Sequence, residues 1–253
     1  MDKLEFEKNG YIILKTSLSH NKLFQDILEK IDRDIEREII KPEIKKLSGF
    51  IMGNLNVYPG NYGSQLLGLL KSDKNILDKI ENILGKKIES YNINFGGNLS
   101  LPQKGKQLFH IDGVHGKEMN LVSIATENIT ENNGPTEVCI GTHKINYDYK
   151  KFLFTKKRKK KLCANIGDII IRKHDLWHRG TINFSKKPRF LFSLLFFPKD
   201  SAHYISVPKT NDLKINPNFF KNNFIGKMYE IIYVKFNFLI VISKLFISII
   251  NKK

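Results

Sequence analysis

The stretch GDIIIRKHDLWHRGTINFSKKPRFLFSLLF, Gly167 to Phe196, sets two apolar runs of strand length on either side of a histidine-bearing segment and a polar turn. Gly167-Asp168 opens the first run, and His178 lies on or just after its continuation. NFSKKP reads as a turn that returns the chain into a strand from Arg189 to Phe197, a hairpin that would carry Arg189 back beside His178. An arginine that begins a strand otherwise made of Phe and Leu needs a partner, because a buried guanidinium is costly unless its charge is paired. A dicarboxylate would meet it with two parallel hydrogen bonds.

A second stretch, QLFHIDGVHG (Gln107 to Gly116), explains why a histidine should sit there. If Leu108 to Asp112 is extended, His110 and Asp112 share one face while Phe109 and Ile111 point the other way. An imidazole and a carboxylate presented together are two thirds of the His, His, carboxylate set that holds Fe(II) and leaves coordination positions open. His174 and His178 both qualify by spacing as the third ligand. His115, three residues beyond Asp112, would as a fourth ligand fill a coordination position that such a set leaves open, so it reads as a substrate-facing residue or a support for the ligands.

Outward from these segments the texture is β. Short apolar runs at Leu121 to Thr126, Val138 to Ile140, Asp168 to Arg172 and Phe190 to Phe197 alternate with Gly, Asn and Pro turns, the pattern of an antiparallel sandwich or barrel. Asn92 and Asn94 alternate with Tyr91, Ile93 and Phe95 on a further strand, placed either to line a pocket for that dicarboxylate by hydrogen bonding or to serve a structural role. The first third is mixed. Tyr11 to Leu14 is a strand, and Ser19 is the expected cap of a helix whose stripe is Leu23, Phe24, Ile27, Leu28, Ile31 and Ile35. A second helix follows Ser72 with Ile76, Leu77, Ile80, Ile83 and Leu84 inward and Gly85 as its stop.

The chain of 253 residues is 41% apolar, enough for a substantial core. Its net charge of +17 favours anionic partners, but Lys, Asn, Ile and Phe are abundant together, as a biased genome produces without selection for binding. The run KKRKKK (Lys156 to Lys161) is therefore expected to be a solvated loop, and no nucleic-acid partner is expected. The two cysteines suggest no disulfide framework, and the acidic N-terminus is unlike a signal peptide, so a reducing cytoplasm is the expected compartment. From Ile231 to Ile250 the chain is apolar but interrupted by Lys235, Asn237, Ser243, Lys244 and Ser248. That suits a helix lying in a membrane interface or docked on a partner rather than crossing a bilayer.

Taken in order, His110-x-Asp112, ENNGPTEVCIGTHK (Glu131 to Lys144), Gly167-Asp168 and WHRGTINFSKKPR (Trp177 to Arg189) resemble the phytanoyl-CoA dioxygenase family, and FEKNGYIIL (Phe6 to Leu14) is similar to its opening strand. The resemblance runs from Phe6 to about Phe197. Ile140 departs from it, standing where the family's turn before Gly141-Thr142-His143 usually has Pro. The resemblance implies a mainly β protein with flanking α-helices and a double-stranded β-helix (jelly-roll, cupin-like) core. It also implies His110, Asp112 and His178 as ligands of Fe(II), and Arg189 on the distal carboxylate of 2-oxoglutarate, with Thr181 a further candidate contact to that co-substrate. The reaction would consume O2, release succinate and CO2, and hydroxylate a small or lipid-linked metabolite. Asp112 argues against halogenation, since related halogenases have Ala or Gly there. Residues 1–215 are then the oxygenase domain and 216–253 an amphipathic tail. The rival expectation is a catalytically inactive cupin-like binding protein, and the identity of the substrate and the oligomeric state are left open.

Overall fold

The computed structural model describes residues 2–45, 52–113, 115–116, 118–200 and 210–215, and beyond these only residues 224, 225, 228, 231, 232, 236, 238, 239, 241 and 242. The chain begins with α1 (Asp2–Asn9), turns at Gly10, and enters β1 (Tyr11–Leu14). Next comes α2 (Lys22–Ile39), which buries Phe24, Ile27, Leu28, Ile31 and Ile35. Its cap is Asn21 rather than Ser19: Asn21 Oδ1 accepts the Phe24 N–H at 3.1 Å, while Ser19 lies in a preceding 3-10 turn. Leu23, expected on the buried stripe, is exposed. The short α3 (Pro42–Lys45), β2 (Asn54–Tyr58) and α4 (Tyr62–Ser72) follow. Then comes α5 (Lys74–Leu84), capped by Asp73 and stopped by Gly85 in the left-handed region, φ 78°.

The remaining elements are β3 (Tyr91–Ser100), β4 (Asn120–Ala125), β5 (Thr136–Cys139), α6 (Tyr149–Phe154), β6 (Lys159–Lys161), β7 (Ile169–Lys173), β8 (His178–Gly180), β9 (Arg189–Pro198) and β10 (Lys214–Ile215). Seven strands form one antiparallel sheet in the order β1-β7-β4-β9-β3-β2-β10, and β6-β5-β8 form a second. This is the jelly-roll expected from the sequence, with helices covering one face of the larger sheet.

Two expectations change. First, β8 and β9 do not pair as a hairpin; they lie in different sheets, and the NFSKKP turn carries the chain across. Asn183 holds that crossing, its Nδ2 donating to Ser100 O at 3.1 Å and to Lys187 O at 2.9 Å while its Oδ1 accepts from Ser185 N at 2.9 Å. Second, the KKRKKK run is only half loop, because its last three residues form β6, with Lys161 opposite Glu137. The tail stripe of Asn237, Lys244 and Ser248 lies outside the described residues. No helix among the described residues is long and apolar enough to cross a membrane.

Strand alternation gives the large sheet two different faces. Ile12, Leu14, Leu55, Val57, Leu99, Val122, Ile124, Ile169, Ile171, Phe190, Phe192, Leu194 and Phe196 join the helix side chains in one apolar core. The intervening residues look toward the small sheet, where Ala125, Ile129, Val138, Leu162, Ala164, Ile170, Leu176 and Leu191 form a smaller apolar layer. Polar residues interrupt that inner face, and the candidate site is built from them.

Candidate active site

Leu108 to Asp112 is not a regular strand; it is stitched to the segment around β8 by single hydrogen bonds. Gln107 N–H donates to Gly180 O at 3.0 Å, His110 and His178 exchange bonds at 3.0 and 2.9 Å, and Asp112 N–H donates to His174 O at 2.9 Å. These bonds keep the segment extended, so His110 and Asp112 still face the same way. His110, Asp112 and His178 each offer one ligand atom, and all three atoms lie within 4.8 Å of one another. His110 Nε2 is 3.9 Å from Asp112 Oδ1, and His178 Nε2 is 3.5 Å from Asp112 Oδ2.

Both imidazoles are oriented alike. His110 Nδ1 lies 2.8 Å from Leu108 O and His178 Nδ1 lies 2.9 Å from Leu176 O, in each case the carbonyl two residues back. A carbonyl can only accept, so Nδ1 carries the proton and each Nε2 lone pair points to the shared space. Burial, reinforced by the Arg172 charge, holds the His178 pKa well below its usual value, so it stays the neutral ligand a cation requires.

Arg172, on β7, is the residue the sequence reading missed. Its side chain pairs with Asp112 Oδ2 and stands 3.4 Å from His178 Nδ1. Loss of water works against the Asp112 charge, but the Arg172 charge overcomes it and holds the carboxyl well below the usual carboxylate range. The signal was available, since Arg172 ends the run IIIR and, like Arg189, is a guanidinium on an apolar strand in need of a partner.

Asn54, Ser100 and Arg189 are direct cross-strand neighbours on β2, β3 and β9. Each is about 1% exposed, and each has a buried polar atom with no partner among the described residues: Asn54 Oδ1, Ser100 Oγ and Arg189 Nη1. The rest of the Arg189 fork is occupied, Nε donating to Asn133 O at 3.4 Å and Nη2 to Gly134 O. Burial pulls the Arg189 pKa down to about 10, against the pull of Glu127, so the group remains a cation at neutral pH. Gly180 shares the face of His178 and closes this recess; a Cβ there would fall 2.5 Å from Asn54 Oδ1. Unpartnered polar atoms in a buried row are expensive unless a ligand satisfies them. Guanidinium and hydroxyl donors in this row suit a carboxylate.

The other expected site residues divide. Asn94 is buried and Asn92 partly so, both on the β3 face that carries Ser100. Thr181 follows the end of β8, and its hydroxyl donates to Pro135 O at 2.7 Å, next to the Gly134 carbonyl that Arg189 holds. His174 is outside the ligand cluster, its Nδ1 2.9 Å from Met119 O. His115 pairs with Asp175 at 3.1 Å.

A sequence model described as Phytanoyl-CoA dioxygenase (PhyH) matches residues 6–191. Among solved structures, the chain is similar to the epimerase SnoN in complex with Fe3+, alpha ketoglutarate and nogalamycin RO, at 12% identity and a TM-score of 0.61, covering 85% of this chain and 94% of that one. EctD from S. alaskensis with bound Fe aligns at 16% identity and TM-score 0.59, covering 83% and 82%. The alpha ketoglutarate dependent carbocyclase SnoK from nogalamycin biosynthesis aligns at 13% and 0.57, covering 79% and 83%. At these identities the structural likeness speaks for the fold.

Proposed function

The chain belongs to the phytanoyl-CoA dioxygenase family, and from that premise we propose that it is an Fe(II)- and 2-oxoglutarate-dependent dioxygenase that hydroxylates a small or lipid-linked metabolite. What carries this reading is that two separate features occur on the same inner surface. One is a set of three ligand atoms within 4.8 Å, and the other is a buried row of orphaned polar atoms ending on Arg189. A metal-binding barrel without a co-substrate has no use for the second.

In this reading His110, Asp112 and His178 hold iron, and Arg189, with Ser100 beside it, receives the distal carboxylate of 2-oxoglutarate. Asn54, its Nδ2 donating to Met52 O at 3.5 Å and its Oδ1 orphaned, is the third residue of that recess. Iron and 2-oxoglutarate together supply the oxidation of a C–H bond by O2, with succinate and CO2 released. The protein's part is to fix positions: carbonyls hold both imidazole tautomers, Arg172 keeps Asp112 ionised and aimed, and Arg189 sets the orientation of the co-substrate. The Fe and alpha ketoglutarate named in the SnoN complex, and the Fe named with EctD, support the same pair here. Because similar structures include an epimerase and a carbocyclase, hydroxylation is the default outcome of C–H oxidation rather than a consequence of the fold.

The test is anaerobic addition of Fe(II) and 2-oxoglutarate, read as a visible charge-transfer band, followed by a metabolite screen in air scored on succinate. The band is expected in the natural protein and absent in His110→Ala, Asp112→Ala and His178→Ala. A band retained in His178→Ala and lost in His174→Ala would move the third ligand. No band at all, with iron still bound, would return the protein to the class of inactive cupin-like binders.

A further inference from the structure

Behind the candidate ligands lies a surface that the oxygenase reading does not use. Phe109 and Ile111, alternating with His110 and Asp112, point outward and pack with Phe152, Trp177, Tyr147 and Tyr149. Phe152 stacks on Trp177, ring centroids 3.8 Å apart and planes 10° from parallel, which fastens α6 to the back of the site. With Phe152 turned in, the next two residues are turned out: Leu153 is 42% exposed and Phe154 77%, and Ile145 nearby is 42% exposed. Basic side chains surround them. Between Lys144 and Lys161 the sequence has nine lysines and arginines and one carboxylate, Asp148, which is spent capping α6. Of the nine, Lys161 is the one that pairs with a carboxylate among the described residues, reaching Glu131 at 2.7 Å. Lys157 and Lys159 lie over the Phe152 and Phe109 rings, 4.1 and 5.4 Å from their centroids.

We propose that the surface of α6 and the loop running into β6, centred on Leu153 and Phe154 and ringed by Lys150, Lys151, Lys156 and Lys159, docks the enzyme on an anionic phospholipid bilayer. Single exposed apolar residues are ordinary. Here three occur within ten residues and lie inside a dense field of positive charge. Lysines and arginines alone would serve nucleic acid equally well, since a phosphate backbone rewards them. Protruding Leu and Ile gain nothing there, but they match the boundary between headgroups and acyl chains, where basic side chains remain with the headgroups. The surface is distinct from the C-terminal tail, and it stands whether or not the chain is an active oxygenase.

Co-sedimentation of the full chain with vesicles tests it. Vesicles of phosphatidylcholine with phosphatidylserine should pellet the protein, phosphatidylcholine alone should not, and 0.5 M NaCl should release it, since surface charge attraction is screened at about 4–5 Å in that salt. Leu153→Ser with Phe154→Ser should weaken binding at least tenfold, and Lys156→Gln with Lys159→Gln by roughly tenfold or more, on the scale of about fivefold per lysine near a charged surface. Emission from Trp177, the chain's single tryptophan, should be unchanged in all variants, showing that the aromatic layer beneath is intact. Pelleting of both variants like the natural protein, equal pelleting with both vesicle types, or binding to single-stranded RNA without binding to vesicles would each overturn the proposal.

Discussion

The two faces of the seven-stranded sheet are made by the same strands, yet they obey different rules. Along β9, Phe190, Phe192, Leu194 and Phe196 enter the helix-covered core, and Arg189, Leu191 and Ser193 alternate with them on the inner face. Along β7, Ile169 and Ile171 face the helices while Ile170 and Arg172 face inward. The helix face is apolar across its buried centre, with Asn120 and Lys173 at its end, and is stabilised by removal of hydrocarbon from water, which rewards any well-packed shape. The inner face keeps two guanidiniums, a serine pair and orphaned amide and hydroxyl atoms, all of which folding alone would favour replacing. One face therefore specifies that the sheet exists, and the other specifies what it is for.

The largest effect should come from the helix face. Phe192→Ala removes a side chain with no exposed surface from the apolar core and should cost about 3–5 kcal/mol of stability, measured by urea unfolding. Its iron-binding signature should persist in whatever fraction remains folded. A cost near that of an inner-face serine would erase the distinction between the faces.

Arg189 should respond in the opposite sense. Arg189→Ala should leave iron binding largely intact but weaken 2-oxoglutarate ten- to a hundred-fold, as the loss of a charge-assisted pair worth roughly 1.5–3 kcal/mol requires. Arg189→Lys should restore only part of this, because an ammonium cannot present two parallel donors. Without co-substrate, Arg189→Met should unfold no more easily than the natural protein, since the native guanidinium is buried with Nη1 unpartnered. Unchanged co-substrate affinity in Arg189→Ala and Arg189→Lys would remove the clamp from the proposed function.

The contrast between the faces also explains which parts of the molecule were legible. Continuous apolar runs revealed β1, β4, β7 and β9, and helical stripes revealed α2 and α5 with the Gly85 stop, because burial against a core imposes a period that composition displays. The three-residue β6 and β8 and the Gly96-Gly97 interruption of β3 carry too little period to read. Alternation placed His110 beside Asp112 without any knowledge of the partner strand. It could not say that β8 and β9 belong to different sheets, which depends on long-range pairing, nor that Arg172 meets an aspartate sixty positions away.

A smaller effect is expected at Arg172. Arg172→Gln keeps a hydrogen-bond donor near Asp112 but removes the charge that holds its carboxyl low, so the aspartate should bind protons more readily and iron about ten- to a hundred-fold less tightly near neutrality, the usual range for loss of a ligand's supporting partner. Lowering the pH should widen the gap between variant and natural protein, because protonation competes with iron at Asp112 first in the variant. Competition titration with a chelator across pH measures both, and identical curves would assign Arg172 to packing alone.

The smallest effect distinguishes the faces most finely. Ser123 and Ser193 are cross-strand partners on the inner face, with hydroxyl oxygens 2.8 Å apart. If this face tolerates polar groups only because each is paired, then Ser193→Ala should cost about 1 kcal/mol by stranding Ser123, and Ser123→Ala should cost about the same. The double variant removes both donors and both acceptors from a neighbourhood that includes Leu191 and Ile170, and it should recover most of that loss. Urea unfolding of the three variants forms a double-mutant cycle. Strictly additive costs would mean that each hydroxyl is satisfied independently of the other, and the pair would then be no evidence for a face organised around polar satisfaction.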